Sequence, residues 1–190
     1  MAGQRIGRLA AMTRCIVVSG LPCAGKSTLA RSLAERFGCT LLAKDAYKEQ
    51  LFERFGAGDR RWSARVSLLA WDQLLADAAR LLVHGTECVL EGNFRAPQAG
   101  VLAALAAIDR ARFMEVRCLA RPEILLARYL ARAIDGSRHP GHVDLEALPE
   151  LERELSRPPA AALGTGPVLD CDTSEGLDVE GIAARLGALR

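Results

Sequence analysis

Apolar and polar positions divide the chain into short segments of alternating type. Cys15-Ile16-Val17-Val18-Ser19 is apolar and β-branched without polar alternation, and a glycine-rich turn follows it. Such a run predicts a strand buried on both faces, as in a parallel sheet. Over residues 27–37 the period changes: Leu29, Leu33 and Phe37 recur at helical spacing, and Gly38 stops the segment. Residues 40–43 predict a second strand and 46–55 a second helix, broken by Gly56-Ala57-Gly58. The longest helical pattern covers 63–84, with Leu68, Leu75, Ala79 and Leu82 assigned to one face and Gly85 as its end. Strands are then expected at 87–91, 113–119 and 167–171. Helices are expected at 97–108, where Pro97 suits a first turn, at 122–134, at 145–156 around Pro149, and at 178–189. Residues 135–144, with Gly, Pro and two His, predict a loop. Strand and helix in repeated alternation imply an α/β fold: a five-stranded parallel sheet with helices on both faces.

Composition narrows the class. With 190 residues the chain suffices for one domain, assigned to 14–190. Residues 1–13 read as a flexible leader without a signal-peptide core, and Met12 offers an alternative start. Lys plus Arg number 25 against 23 Asp plus Glu, which excludes a polybasic mechanism. Aromatic residues are 5%, too few for a base-stacking surface, so nucleic acid is disfavoured as a partner. No apolar run approaches the ~20 residues that span a bilayer. Six cysteines include no C-x-x-C pair, and most sit in apolar runs, which reads as reduced thiols in a cytoplasmic protein.

The sharpest chemical signal is Gly20-Leu21-Pro22-Cys23-Ala24-Gly25-Lys26-Ser27-Thr28. It fits G-x-x-x-x-G-K-[ST] and lies between a predicted strand and a predicted helix, as the motif requires. The glycines let successive N–H groups turn inward to phosphate oxygens, and the helix start adds the positive end of its dipole. Lys26 supplies a cation for the β- and γ-phosphates, Ser27 a hydroxyl for Mg²⁺, and Thr28 support on the α-phosphate side. The motif specifies a nucleoside triphosphate and Mg²⁺, and leaves the phosphate acceptor open.

Other segments bear on the acceptor. The N-K-x-D of signalling GTPases is absent, and the third strand ends in the single acid Glu91 rather than the acidic pair of a motor. Glu91 is a candidate for Mg²⁺ or acceptor contact, against a plain strand-end role. Asp45 closes the second strand, on the same sheet edge as the phosphate loop. It is positioned to take the proton of an attacking hydroxyl, or to cap the following helix; the two roles are compatible. Lys48 suits an anionic acceptor or an exposed helix face, and Asn93 and Arg95 follow the third strand toward the acceptor. Arg128 and Arg132 share a helix face within the cluster Arg117, Arg121, Arg128, Arg132, Arg138, His139 and His142. They form either a phosphate-clamping lid over 122–145 or a solvated basic face. His139-Pro140-Gly141-His142 with Asp144 invites a metal reading. No further Cys or His stands nearby, so His139 is assigned to substrate contact or loop structure. Trp62 and Trp71 are expected to pack.

The phosphate loop, Lys44-Asp45-x-Tyr47-Lys48, Glu91-Gly92-Asn93-Phe94 and the arginine-bearing helix together resemble the small P-loop kinases of the AAA-family ATPase/predicted kinase group. That group includes polynucleotide 5′-kinase domains, zeta-toxin-like kinases and chloramphenicol phosphotransferase-like enzymes. The resemblance runs from about Cys15 to Asp172. It implies a P-loop NTPase fold with a small helical lid, ATP and Mg²⁺ as cofactors, and Asp45 as the acceptor-activating base. It also implies that Arg128 and Arg132 contact ATP phosphates and that Asp172-Thr173-Ser174 flank the adenine. Two features depart from the group: Glu91 stands where many relatives have Asp, and the His139 to His142 loop matches no substrate signature. The expected activity is transfer of the γ-phosphoryl group to a hydroxyl of a small metabolite or antibiotic. A polynucleotide 5′-hydroxyl kinase and a non-catalytic ATP-sensing regulator are the alternatives.

Overall fold

The computed structural model describes residues 12–108 and 111–189. The elements follow in the order β1 (Thr13–Ser19), α1 (Lys26–Phe37), β2 (Thr40–Ala43), α2 (Lys44–Phe55), α3 (Arg60–Val83), β3 (Cys88–Glu91) and α4 (Ala96–Ala106). Then come β4 (Ala111–Leu119), α5 (Pro122–Asp135), a 3-10 turn (Pro140–His142), α6 (Asp144–Leu155), β5 (Val168–Asp172) and α7 (Val179–Ala188). Among the described residues the strands form one parallel sheet in the order β2-β3-β1-β4-β5.

β1 lies at the centre, and its alternation divides the core. Ile16 and Val18 face a cluster completed by Leu29 and Leu33 of α1 and by Ile182 and Leu186 of α7. Cys15 and Val17 face the opposite cluster, with Leu74 and Leu82 of α3 and Leu102 of α4. All four β1 side chains are fully buried. Each buried aliphatic side chain contributes about 1.5–3 kcal/mol, so β1 is a stiff platform for the loop at its end. Cys15 and Cys88 are register partners with sulfurs 3.8 Å apart, and both are free thiols.

A third, smaller core joins Leu51 and Phe52 of α2 to Val66 and Ala70 of α3. It fixes the helix that carries Asp45. At the exit of β1, Gly20 has φ +141°, and a Cβ there would collide with the carbonyl oxygen of Cys118 on β4. Only glycine leaves the strand by this path.

Several boundaries differ from the sequence pattern. Positions 1–11 of the expected leader lie outside the described residues, but Thr13 already pairs with Ala111 inside the sheet. α2 begins at Lys44 directly after β2, with Ala43 at the cap position. Asp45 therefore sits within the first helical turn, and its carboxylate is not the cap. α3 begins three residues before Ser63, because Asp59 caps it by accepting the Trp62 N–H at 2.8 Å. Leu68 is 64% exposed rather than on the core face; Val66, Ala70, Trp71, Leu74 and Ala78 fill that face. The predicted loop over 135–144 contains the 3-10 turn, docked on α2.

Candidate active site

The carboxyl ends of β1, β2 and β3, the start of α1, and α5 with α6 enclose a cleft of about 830 Å³. Ligands in open α/β sheets bind at this edge, where successive connections diverge. Leu21, Pro22, Cys23, Gly25, Lys26, Ser27 and Thr28 line one end of it. Gly25 and Cys23 both hold positive φ, 80° and 63°, which curls the loop backbone. Ala24 is buried beneath the loop, and Gly20 packs behind it on β4. Lys26 Nζ donates to the Leu21 carbonyl at 2.9 Å and lies 3.9 Å from Glu91 Oε1.

Glu91 is 4% exposed, and burial pushes its carboxyl above the usual range against the pull of Lys26. The Ser27 hydroxyl stands beside Glu91 and draws its carboxyl down in turn. A hydroxyl and a carboxylate are hard oxygen donors of the kind Mg²⁺ selects, so this pair fits the ion that the motif implies.

Across the cleft stands Asp45, its side chain 43% exposed toward the opening. Burial on its protein side would raise the carboxyl, but Arg138, Lys44, His142 and Lys26 together hold it well below the ordinary carboxylate range. Arg138 donates through Nη2 to Asp45, and through Nη1 to Asp144 Oδ1 at 2.6 Å. Lys44 Nζ is 3.5 Å from Asp45 Oδ1. Lys48 is buried and donates to Ser63 Oγ at 2.7 Å; burial, then the repulsion of Lys44, lowers its pKa to about 7. Asn93 and Arg95 line the cleft beyond Glu91, and Arg95 pairs with Glu154 of α6 at 3.0 Å.

The lid arginines divide by role. Arg132 enters the cleft, where its Nε and Nη2 are buried with no hydrogen-bond partner among the described residues. Nε stands 3.4 Å from Asp144 Oδ2, an ion pair that lacks hydrogen-bond alignment. Unmade hydrogen bonds of a buried cation are costly, and an anion entering the cleft would satisfy them. Arg128 also lines the cleft, but Nη1 and Nη2 donate to Thr173 Oγ1 and the Thr173 carbonyl at 3.1 and 2.7 Å. Thr173 is 2% exposed and donates to the Ala24 carbonyl at 3.3 Å. It stands behind the phosphate loop, so Arg128 braces α5 on the loop's support. Arg117 and Arg121 lie outside the cleft, paired with Asp170 and Glu175.

His139 does not line the cleft. It stacks on Phe52 at 5.2 Å, pairs with Glu53 at 3.2 Å, and accepts the Gly141 N–H that starts the 3-10 turn. His142 takes the inner position: 5% exposed, 2.9 Å from Glu49, with a pKa lowered to about 3 by burial and then by Arg138. Trp71 both packs, on Phe94 at 4.7 Å, and lines the cleft. Trp62 donates its indole N–H to the Gly56 carbonyl at 2.9 Å.

Sequence reasoning assigned no site role to Lys44, Asp144 or the α6 face, and met Arg138 only as one of a basic cluster. Position offered a signal for two of them. Lys44 directly precedes the strand-end acid, and Asp144 closes the turn that follows the arginine helix.

Residues 15–158 match the family described as an AAA domain. The chain belongs to that family. A proposed kinase from Chloroflexus aurantiacus is 36% identical, with a TM-score of 0.85 over 93% of this chain and 97% of that one. Shikimate kinase from Bacteroides thetaiotaomicron shares the fold at 18% identity and TM-score 0.57, over 94% and 98% of the two chains. Uncharacterized proteins of Mycobacterium tuberculosis and Mycobacterium bovis are 32% identical over 131 residues, 65% of this chain. The match covers 26% of the length of those relatives. The fold of this AAA-domain protein is that of the small P-loop kinases, with its strand order, phosphate loop and helical cover. Among the described residues no helix is long and apolar enough to cross a membrane.

Proposed function

We infer that the chain is a kinase that transfers the γ-phosphoryl group of ATP to a hydroxyl of a small molecule. One observation carries this reading: a single cleft gathers Lys26, Ser27, Glu91, the open carboxylate of Asp45 and the unsatisfied donors of Arg132. A nucleotide-binding switch needs no second carboxylate facing the phosphate end.

Lys26 and the loop N–H groups hold the phosphates, and Arg128 and Thr173 brace that end. Ser27 and Glu91 would hold Mg²⁺, which when bound neutralises charge on the phosphates. Asp45, kept ionised by Arg138 and Lys44, orients the acceptor hydroxyl and takes its proton. The acceptor oxygen forms a bond to γ-phosphorus, the bond from phosphorus to the β–γ bridging oxygen breaks, and ADP leaves. A carboxylate of low pKa suffices, because in a loose transition state the proton moves late and the base chiefly orients. Arg132 turns its free donors to charge on the moving group, so most of the acceleration is positioning and electrostatics. Lys48, Asn93 and Arg95 face the acceptor.

The test is an ADP-release screen over hydroxyl-bearing metabolites and antibiotics, run on the wild type and on Asp45→Asn. The variant keeps its ATP affinity and loses transfer by on the order of 10²-fold or more. Unchanged turnover removes Asp45 from the mechanism.

A further inference from the structure

A second cavity of about 450 Å³ lies on the far side of the phosphate loop. Its walls are largely apolar, formed by Phe94, Leu119, Leu125, Leu155, Ala161 and Leu163 among others. Protein interiors leave few voids larger than a water molecule, whereas this volume falls in the range of small-molecule sites. The cavity adjoins the active-site cleft, and Leu21, Asn93, Arg95, Glu154 and Arg157 line both.

Five charged residues line it, Arg95, Glu115, Arg117, Glu154 and Arg157, and of these Glu115 alone is buried. Glu115 of β4 is 1% exposed. Its Oε1 accepts the Ser19 hydroxyl at 3.1 Å, and its Oε2 accepts the Leu163 N–H at 2.8 Å. An ionised carboxylate offers about four acceptor positions, so two remain for a ligand. Both of these partners are neutral. Arg117, the cation beside it, commits its guanidinium to Asp170 and the Ala160 carbonyl. Arg95 and Arg157 are likewise paired, both with Glu154, so the arginines of the lining are committed to other acids. A buried carboxylate whose neighbouring cations are committed elsewhere, in a largely apolar chamber, is matched by an ammonium group on an apolar body.

We propose that this cavity is the distal half of the acceptor site and receives an apolar segment ending in an amine, which meets Glu115 while the hydroxyl end stays by Asp45. The proposal rests on the kinase reading. The substrate class is then an amino alcohol with an apolar middle rather than a small polyol. Asp45 follows β2 and Glu115 lies on β4, three strand intervals away, so hydroxyl and amine are separated by roughly 14 Å.

The experiment uses ω-amino alcohols as rulers, with ADP release and calorimetry as separate readouts. 10-Amino-1-decanol is expected to be phosphorylated with a KM at least tenfold below those of 3-amino-1-propanol and glycerol. Ala161→Trp fills the cavity from its exposed rim and erases that difference, leaving the KM for ATP unchanged. Glu115→Gln keeps an acceptor for Leu163, raises the KM for 10-amino-1-decanol, and leaves that of 1-hexanol in place. A KM that ignores chain length, or that Ala161→Trp does not move, overturns the proposal. Absence of transfer to every alcohol counts against the kinase reading instead. In that event calorimetric binding of 10-amino-1-decanol, lost in Ala161→Trp, still supports the cavity, and binding equal in both proteins rejects it.

Discussion

At Arg132, folding and function pull in opposite directions. Two of its nitrogens are buried without hydrogen bonds, although Asp144 and the Tyr129 ring stand close. Leaving such donors unmade costs about 1–3 kcal/mol. Arg132→Met keeps the stem and removes the donors, so urea unfolding should show the free variant as stable as the wild type or more so. Calorimetry should show its ATP affinity at least tenfold weaker. Lys48 carries a similar tension with a pH signature. Its pKa is about 7 when folded, against 10.5 for an ordinary lysine, so between those values the unfolded chain binds more protons. Stability should therefore rise with pH from about 7 toward 10, by up to about 1.4 kcal/mol per pH unit, and Lys48→Met should lose that rise in parallel urea titrations. The phosphate loop was legible in the sequence because each residue type has a local reason at its position. The environments of Asp45 and His139 were not. Arg138 lies 93 positions from Asp45, and Phe52 and Glu53 lie far from His139 in the chain, so only docking of the turn on α2 shows which histidine faces inward.

Among the elements, α6 lies as a strap across the cleft. Glu150 takes a two-pronged hydrogen bond from Arg60 of α3, and Glu154 takes Arg95 from the segment after β3. Pro149 interrupts the α6 backbone ladder between its ends. Exposed pairs of this kind contribute at most about 1 kcal/mol each, which suits a cover that opens. Raising the salt, or combining Glu150→Gln with Glu154→Gln, should speed amide exchange in α6 several-fold while β1 and α1 stay protected. Equal exchange in variant and wild type would show that other contacts hold the helix down. The order of elements was readable because strands buried on both faces and helices of 3.6-residue period leave different traces. Their edges were less so. The start of α3 depends on Asp59 as a cap, and the exposed Leu68 fits the helical period as well as Val66 does, so the period placed Leu75 and Leu82 in the core correctly but put Leu68 there as well.

For the whole molecule, a ligand that joins the loop, Asp45 and the lid should stabilise all three together. A non-hydrolysable ATP analogue at a hundred times its Kd adds about 2.7 kcal/mol to the folded state. For a domain of this size that corresponds to roughly 5–10 °C in Tm. On the proposed reading the loop and Arg132 act on the phosphates alone, so the rise should be present without acceptor. At equal analogue concentration Arg132→Met should retain less of it, since weaker binding lowers the ratio of ligand to Kd. Asp45→Asn should retain all of it if, as proposed, its carboxylate serves the acceptor. Differential scanning fluorimetry of the three proteins at matched analogue concentrations measures this pattern. A full rise in Arg132→Met would mean that the lid does not reach the nucleotide. A rise in every variant, with no ADP formed from ATP under any alcohol, would instead describe a sensor that binds nucleotide without transferring phosphate.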